Sequence, residues 1–134
     1  MERRKRLRVL LDTHALLWAT LSPASLSREA AAIIADEANV ILVSAASAWE
    51  IATKVRLDKL PGAESLEKNF LDVMEDAGYT LLPIDVESAL RAGRLISEHR
   101  DPFDRMIAAQ SLAEDISVLS TDSKLDMLGV RRIW

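Results

Sequence analysis

Short, wholly apolar runs alternate along this chain with longer stretches in which apolar residues recur every three or four positions. Such short runs indicate strands that are buried on both faces of a parallel sheet, whereas the longer periodic stretches are typical of amphipathic helices. Pro83 limits the pairing of the third run, which makes it the weakest of the predicted strands. The predicted strands are 7–11, 40–43, 79–84 and 116–119, with 131–134 as a candidate edge strand.

Helices are predicted in the intervals between these runs, because capping residues and helical periodicity coincide there. In the helix that follows Asp85, we expect the positions Val86, Ala89, Leu90, Gly93 and Ile96 to face inward. The predicted helices cover 14–21, a stretch after Ser27, 47–57, 65–77, a stretch after Asp85, a stretch after Asp101, and a short segment from about 123. Strands alternating with helices predict a single α/β domain, with a parallel β-sheet of four to five strands flanked by helices on both faces.

Composition is consistent with one globular domain of 134 residues, of which 49% are hydrophobic and 28% charged. The chain has no cysteine, which excludes disulfides and thiolate metal sites. No apolar run approaches the length of a membrane span, and the arginine-rich start lacks the hydrophobic stretch of a signal peptide. We therefore expect a cytoplasmic protein.

Charge is distributed unevenly along the chain. Residues 1–8 hold five basic side chains and one acidic one, so the other residues together carry −8 if the whole chain carries −4. A body this acidic does not attract a polyanion without bound metal or local basic patches. We expect residues 1–7 to be a flexible, solvated basic leader and residues 8–134 to form the domain.

Four acidic residues stand where predicted strands turn toward helices: Asp12, Glu50, Asp104 and Asp122. In a parallel α/β fold these turns share one edge of the sheet, which is where ligands bind. Four converging carboxylates repel one another unless a cation compensates them. Hard oxygen ligands of this kind suit Mg²⁺ or Mn²⁺, so the pattern predicts a metal-dependent active site.

Each carboxylate also has an ordinary structural interpretation. Asp12 can cap the following helix, Asp104 lies in a well-formed helix start, and Asp122 is a typical turn aspartate. Glu50 can form a capping box with Ser47 and an ion pair with Lys54, four residues later. The coincidence of four such residues at four strand-to-helix turns, rather than any one of them, favours function.

Other chemistries are poorly supported by the sequence. It contains neither a GxGxxG motif nor a Walker A motif, so a phosphate cradle for a nucleotide cofactor is not predicted. His14 and His99 have no Ser or Cys nucleophile with a plausible third partner.

Four segments together resemble the PIN-domain ribonucleases, and most of all the VapC toxins of type II toxin–antitoxin systems. The segments are LLDTHALLW at 10–18, SAASAWEIATK at 44–54, HRDPFDR at 99–105 and STD at 120–122. The order and spacing of all four segments make the resemblance specific, and it extends from about residue 7 to residue 134.

The resemblance implies cleavage of single-stranded RNA by water that Mg²⁺ or Mn²⁺ activates. It places the acidic quartet at the metal and the hydroxyls of Thr13 and Ser120 close by, and it makes Arg105 a candidate contact for phosphate or antitoxin. It also implies a homodimer and a cognate VapB-like antitoxin that inserts a segment near the pocket.

The sequence departs from its relatives at three positions: His14, where many have asparagine, Ser88, where close ones often have histidine, and Leu128, where they often have tyrosine. These departures concern RNA preference. A housekeeping RNA-processing nuclease, a Mg²⁺-binding phospho-acceptor domain of flavodoxin-like shape, and a non-catalytic interaction module remain as alternatives.

Overall fold

A five-stranded, all-parallel sheet forms the centre of the protein, in the strand order β3-β2-β1-β4-β5. The structure is a computed structural model that describes residues 6–134, so most of the predicted basic leader lies outside the described residues. The strands are β1 (Arg8–Leu11), β2 (Val40–Ser44), β3 (Thr80–Leu82), β4 (Ser117–Leu119) and β5 (Arg132–Ile133). The predicted parallel sheet is therefore confirmed, with its fifth strand present.

Seven α-helices connect and cover the strands in the described part of the chain. They are α1 (Thr13–Leu21), α2 (Arg28–Ala35), α3 (Ala45–Arg56), α4 (Glu64–Lys68), α5 (Phe70–Ala77), α6 (Val86–Arg94) and α7 (Pro102–Glu114), with 3₁₀ turns at Pro23–Ser25 and Ser123–Leu128. Among residues 6–134, no helix combines the length and the apolar character needed to cross a membrane.

β1 lies in the middle of the sheet and is sealed on both faces. Val9, Leu10 and Leu11 are at most 1% exposed, and they contribute to two different hydrophobic cores. Val9 and Leu11 pack into the core that includes residues of α1 to α5, while Leu10 packs into the core built with α7. Alternate side chains of a strand point to opposite faces, so a continuous apolar run fills both layers.

A buried amide fixes the carboxyl end of β2 relative to its neighbours. The Ser44 hydroxyl donates to Gln110 Oε1 on α7 at 2.5 Å, and Gln110 Nε2 donates to the Pro83 carbonyl at 3.1 Å. These bonds satisfy both ends of a side chain that is 2% exposed. They tie α7 to the carboxyl ends of two strands of the sheet.

The predicted start of α3 is wrong by three positions. Ser44, not Ser47, is the N-cap, and its side chain accepts the amide hydrogen of Ala46. Ser47 is therefore inside the helix and fully buried. Glu50 does not lie at the capping-box position, and its carboxylate is free to take other partners across the site.

The single helix predicted over 65–77 is in fact two, α4 and α5, which meet at Asn69. The Asn69 side chain donates to the Ser65 carbonyl at 3.0 Å. Asparagine competes in this way for the carbonyls that continue a helix, which accounts for the break.

The inward face predicted for α6 is also wrong. Val86, Ala89, Leu90 and Gly93 are all exposed, as is Ile96 beyond the end of the helix, whereas Ser88 and Ala92 are buried. α6 packs mainly on α7, and its two buried side chains, four residues apart, are both small. Small residues let two helices approach closely, so the larger apolar residues of α6 are left outside.

Candidate active site

The carboxyl edge of the sheet carries a cavity of about 160 Å³ beside the end of β1. β1 pairs with β2 on one side and with β4 on the other, so the strand order reverses here. Ligands of open α/β sheets bind at this kind of switch point. Ten residues line the cavity, all four predicted acidic residues among them: Asp12, Thr13, His14, Glu50, Lys54, His99, Asp101, Asp104, Asp122 and Lys124.

Asp12 follows β1 directly and is 4% exposed. It is the N-cap of α1, with Oδ1 accepting the amide hydrogen of Ala15 at 2.7 Å, so the structural interpretation of this residue is confirmed. Burial raises the pKa of the Asp12 carboxyl above its ordinary value, and the nearby Asp122 adds to the rise. Hydrogen bonds from Ser120 and Ala15, together with His14, oppose this shift.

Glu50 projects from the second turn of α3 and is also 4% exposed. Its Oε1 accepts the Thr13 hydroxyl hydrogen at 2.6 Å, and its Oε2 accepts from the Lys54 ammonium at 2.5 Å. The Ser47 hydroxyl lies 3.1 Å from that of Thr13. The predicted ion pair with Lys54 is present, but one of its partners is buried at the site.

Asp104 comes from the first turn of α7, whose N-cap is Asp101. Its Oδ2 lies 2.9 Å from His99 Nε2. Burial raises the pKa of the Asp104 carboxyl, and Asp101 and Glu50 add to the rise, while His99 opposes it. The contribution of Glu50 is the smallest of these, and it has the sign expected for two like charges that face one cavity.

Asp122 lies just beyond β4, at the opposite side of the cavity from α3. Its Oδ1 caps the following 3₁₀ turn by accepting the Lys124 amide hydrogen at 3.0 Å, and its own amide donates to the Ser120 hydroxyl at 2.9 Å. Ser120 is fully buried and also bonds to Asp12, so it links two of the four acidic residues.

Arg105 does not line this cavity. Its guanidinium donates to four backbone carbonyls, those of Ala92, Gly93, Leu95 and His99, at 2.5 to 3.3 Å. These groups belong to the C-terminal end of α6 and the loop after it. Arg105 would have to give up these bonds to contact phosphate or an antitoxin, and that role stays a prediction.

Sequence reasoning did not assign five of the cavity residues to the site: His14, Lys54, His99, Asp101 and Lys124. Lys54 was expected only as a helical partner of Glu50, and Asp101 only as a helix cap. Their proximity in sequence to Glu50 and Asp104 is the signal that points to them. Lys124 has a similar signal, since it comes two residues after Asp122.

The donor chemistry of the cavity fits a divalent cation. Carboxylate oxygens are the preferred ligands of Mg²⁺ and Mn²⁺. Burial, with a smaller contribution from neighbouring carboxylates, raises the pKa values of Asp12 and Asp104, and a bound cation would favour their ionised forms. Within residues 6–134, however, no three or more acidic, histidine or cysteine side chains stand close enough together to hold an ion as placed. Glu50 and Asp104 point instead to Lys54 and His99, so binding a cation requires local rearrangement.

The chain matches both a family model and a known ribonuclease. The family model of the PIN domain matches residues 9–130. Ribonuclease VapC16 of Mycobacterium tuberculosis is 47% identical over 57 residues. That alignment covers 42% of this chain and 40% of the relative.

Solved structures resemble the whole fold. The complex VapBC2 from Rickettsia felis, bound to a DNA fragment from its promoter, matches with a TM-score of 0.69 and 16% identity, over 95% of this chain and 98% of that one. FitAcB from Neisseria gonorrhoeae matches with a TM-score of 0.59 and 21% identity, over 94% and 96%. At these identities the matches establish a common fold.

Proposed function

Because the chain belongs to the PIN domain family, we propose that it is a metal-dependent endoribonuclease that cleaves single-stranded RNA as the toxin of a type II toxin–antitoxin pair. The observation that carries this proposal is the convergence of Asp12, Glu50, Asp104 and Asp122 on one cavity. Asp12 and Asp122 follow β1 and β4, Glu50 comes from the second turn of α3, and Asp104 comes from the first turn of α7, which follows a helix and not a strand. Only the folded sheet brings these four residues together. The identity to a VapC ribonuclease, which includes less than half of either chain, supports the same activity.

The four carboxylates would hold Mg²⁺ or Mn²⁺, with Asp12, Glu50 and Asp104 as the principal ligands and Asp122 completing or sharing the site. A bound divalent cation would supply Lewis acidity, activation of water and charge neutralisation for phosphodiester hydrolysis. Thr13 orients the Glu50 carboxylate through its 2.6 Å hydrogen bond. Ser120 does the same for Asp12.

The N-terminal ends of the helices around the cavity favour the ionised forms of Asp12 and Asp104. Asp12 and Asp104 each lie at the N-terminal end of a helix, where the macrodipole favours negative charge. That field partly offsets the burial that raises their pKa values. The chain thereby holds one buried carboxylate, Asp12, and one half-buried carboxylate, Asp104, at hard-ligand positions without an arginine partner among the cavity residues.

The partner proposed for this chain is a VapB-like antitoxin, with a homodimer as the active assembly and the cytoplasm as the place of action. The resemblance in fold to the VapBC2 and FitAcB proteins supports this part of the proposal. Its substrate and antitoxin would both meet the carboxyl edge of the sheet, where the acidic cavity opens.

Cleavage of a fluorescent single-stranded RNA tests the nuclease activity. We expect the wild-type protein to cleave it with Mg²⁺ or Mn²⁺ and to stop when EDTA is added. Asp12→Ala should abolish cleavage, and Asp12→Asn should do so while keeping the cap on Ala15. Asp72→Asn, an exposed change on α5, is the matched control and should leave the rate unchanged. Full cleavage by both Asp12 variants, in preparations free of contaminating nuclease, would overturn the assignment.

Growth of cells that express the chain separates a toxin from a housekeeping nuclease. A toxin should arrest growth when expressed alone, and the product of a small adjacent gene encoding a DNA-binding antitoxin should relieve the arrest. A housekeeping nuclease would cleave RNA in vitro without this arrest. Metal binding without any RNA cleavage would instead favour a phospho-acceptor or interaction domain.

A further inference from the structure

We propose that Lys54 is a built-in counter-ion, which holds Glu50 in the metal-free protein and must leave this carboxylate when a divalent cation binds. This inference rests on the proposed function, and it adds a residue that governs how readily the site accepts its metal. Lys54 is a positioning residue in this account, since it acts through Glu50.

Both oxygens of Glu50 are occupied in the structure. Oε1 accepts from the Thr13 hydroxyl and Oε2 from the Lys54 ammonium, at 2.6 and 2.5 Å. The carboxylate is 4% exposed, so it has almost no water to replace either partner. A buried charge without a partner is strongly destabilising, which means that Lys54 compensates Glu50 as long as no other cation does.

The position of Lys54 distinguishes it from an ordinary helical ion pair. Pairs four residues apart usually lie on the surface, where they contribute only tenths of a kcal/mol. Here the side chain of Lys54 is 34% exposed and lines the same cavity as Asp12, Asp104 and Asp122. Its ammonium therefore sits inside the acidic cavity rather than on the outer face of α3.

An ammonium and a divalent cation cannot both lie against Glu50 Oε2 without strong repulsion, because the site is poorly solvated. Lys54 must swing away from the oxygen when Glu50 becomes a ligand. Its flexible four-carbon stem allows this movement while its base stays on α3 at the cavity wall. The released ammonium remains near enough to the site to meet the phosphate of an RNA.

Lys124 offers a matched control within the same cavity. It also carries one positive charge and lines the cavity, but it is exposed, and its described contact with an acidic residue is the backbone bond to Asp122. Removing either lysine removes the same formal charge. Only the removal of Lys54 frees a carboxylate oxygen of Glu50.

Mn²⁺ binding to the full-length protein, measured by calorimetry and by the electron paramagnetic resonance of free Mn²⁺, tests the inference. We expect Lys54→Met to tighten Mn²⁺ binding about five- to tenfold, as for the loss of one competing, partly buried ion pair. Lys124→Met should change it by about twofold or less, because an exposed charge is screened. Lys54→Gln should tighten Mn²⁺ binding as Lys54→Met does. Agreement between the two variants guards against a folding defect in one of them.

A double-mutant cycle with Glu50→Gln makes the test specific to the pair. In the Glu50→Gln background, Lys54→Met should no longer tighten Mn²⁺ binding, because the competition has been removed. Lys54→Met should therefore bind Mn²⁺ more tightly than the wild type but cleave RNA more slowly at saturating Mn²⁺.

The possible failures are distinguishable. If wild-type protein binds Mn²⁺ and Lys54→Met binds it equally or more weakly, Lys54 is only a helix-stabilising residue and the inference is overturned. An equal gain from Lys124→Met would overturn it too. If neither the wild type nor any variant binds Mn²⁺ in the cavity, the proposed function fails together with the inference.

Discussion

The carboxyl group of Asp12 is placed where an acid is useful to a metal site and unfavourable to the fold alone. It is 4% exposed, and burial is the main cause of its raised pKa. A raised pKa means that the folded protein resists ionisation of this group more than the unfolded chain does. The ionised carboxylate therefore lowers the stability of the metal-free protein at neutral pH.

Replacing this charge should make the metal-free protein more stable. Asp12→Asn keeps an oxygen for the Ala15 amide but carries no charge, so we expect a gain of about 1 kcal/mol in the free energy of unfolding at pH 7. That corresponds to roughly 3–5 °C in melting temperature for a domain of this size. Urea denaturation in EDTA measures it, with Asp72→Asn as the control, and a loss of stability in Asp12→Asn would contradict the account.

The same gain should depend on pH in a defined direction. Above the raised pKa of folded Asp12 the destabilisation is complete, and it decreases as pH falls through that value and vanishes below the ordinary value of 3.8. The stability difference between Asp12→Asn and wild type should therefore shrink between pH 7 and pH 4. A difference that stays constant over this range would show that the charge of Asp12 is not its source.

At the level of elements, β1, β2 and β4 were predictable because each is an apolar run that fills both faces of the sheet, as Val9, Leu10 and Leu11 do. The start of α3 was not, because Ser44 and Ser47 are equally good caps and only the end of β2 decides between them. The inner face of α6 was not predictable from hydrophobicity either. Close contact with α7 requires small side chains on α6, and no local sequence pattern indicates that contact.

The acidic site was likewise predictable from the sequence only in part. The rule that parallel strands end at a common edge predicts that Asp12 and Asp122 share a cavity, and both line it. The hydrogen bond from Thr13 to Glu50 joins residues 37 positions apart. Such a contact depends on how α1 and α3 pack, so the sequence gives the acidic residues of the site but not the partners that hold them.

Arg105 ties the end of α6 and its following loop to the first turn of α7. A helix leaves its last carbonyls without intrahelical partners, and the Arg105 guanidinium satisfies those of Ala92 and Gly93. Lysine cannot reproduce this planar set of donors. We expect Arg105→Lys to lower the free energy of unfolding by about 1–2 kcal/mol and to speed proteolysis within residues 95–100.

Arg100→Lys is the matched control for this prediction, because Arg100 is exposed and lies in the same loop. Urea denaturation and limited proteolysis of the two variants should separate them clearly. Equal behaviour of Arg105→Lys and Arg100→Lys would show that the four carbonyl contacts do not stabilise the junction of α6 and α7.

At the scale of the whole molecule, the sheet places several acidic side chains at one edge. The stability of the rest of the fold must offset the cost of keeping them there. A cation that binds only the folded state stabilises the entire domain by mass action, about 2.7 kcal/mol at a concentration of one hundred times its dissociation constant. Adding metal should therefore reverse the order of stability of the wild type and Asp12→Asn.

Without metal, Asp12→Asn should melt above the wild type, and with saturating Mn²⁺ the wild type should melt above Asp12→Asn. Thermal unfolding in EDTA and in Mn²⁺ measures both orders. An Mn²⁺-induced rise of the same size in the two proteins would place the ion outside the acidic cavity.

The most direct measurement is a crystal structure of the protein grown with Mn²⁺, with anomalous scattering used to locate the ion. The account predicts an anomalous peak in the cavity, bonded to oxygens of Asp12, Glu50 and Asp104, with the Lys54 ammonium withdrawn from Glu50. A cavity without a peak, in which Lys54 still holds Glu50 and the acidic side chains point apart, would contradict it.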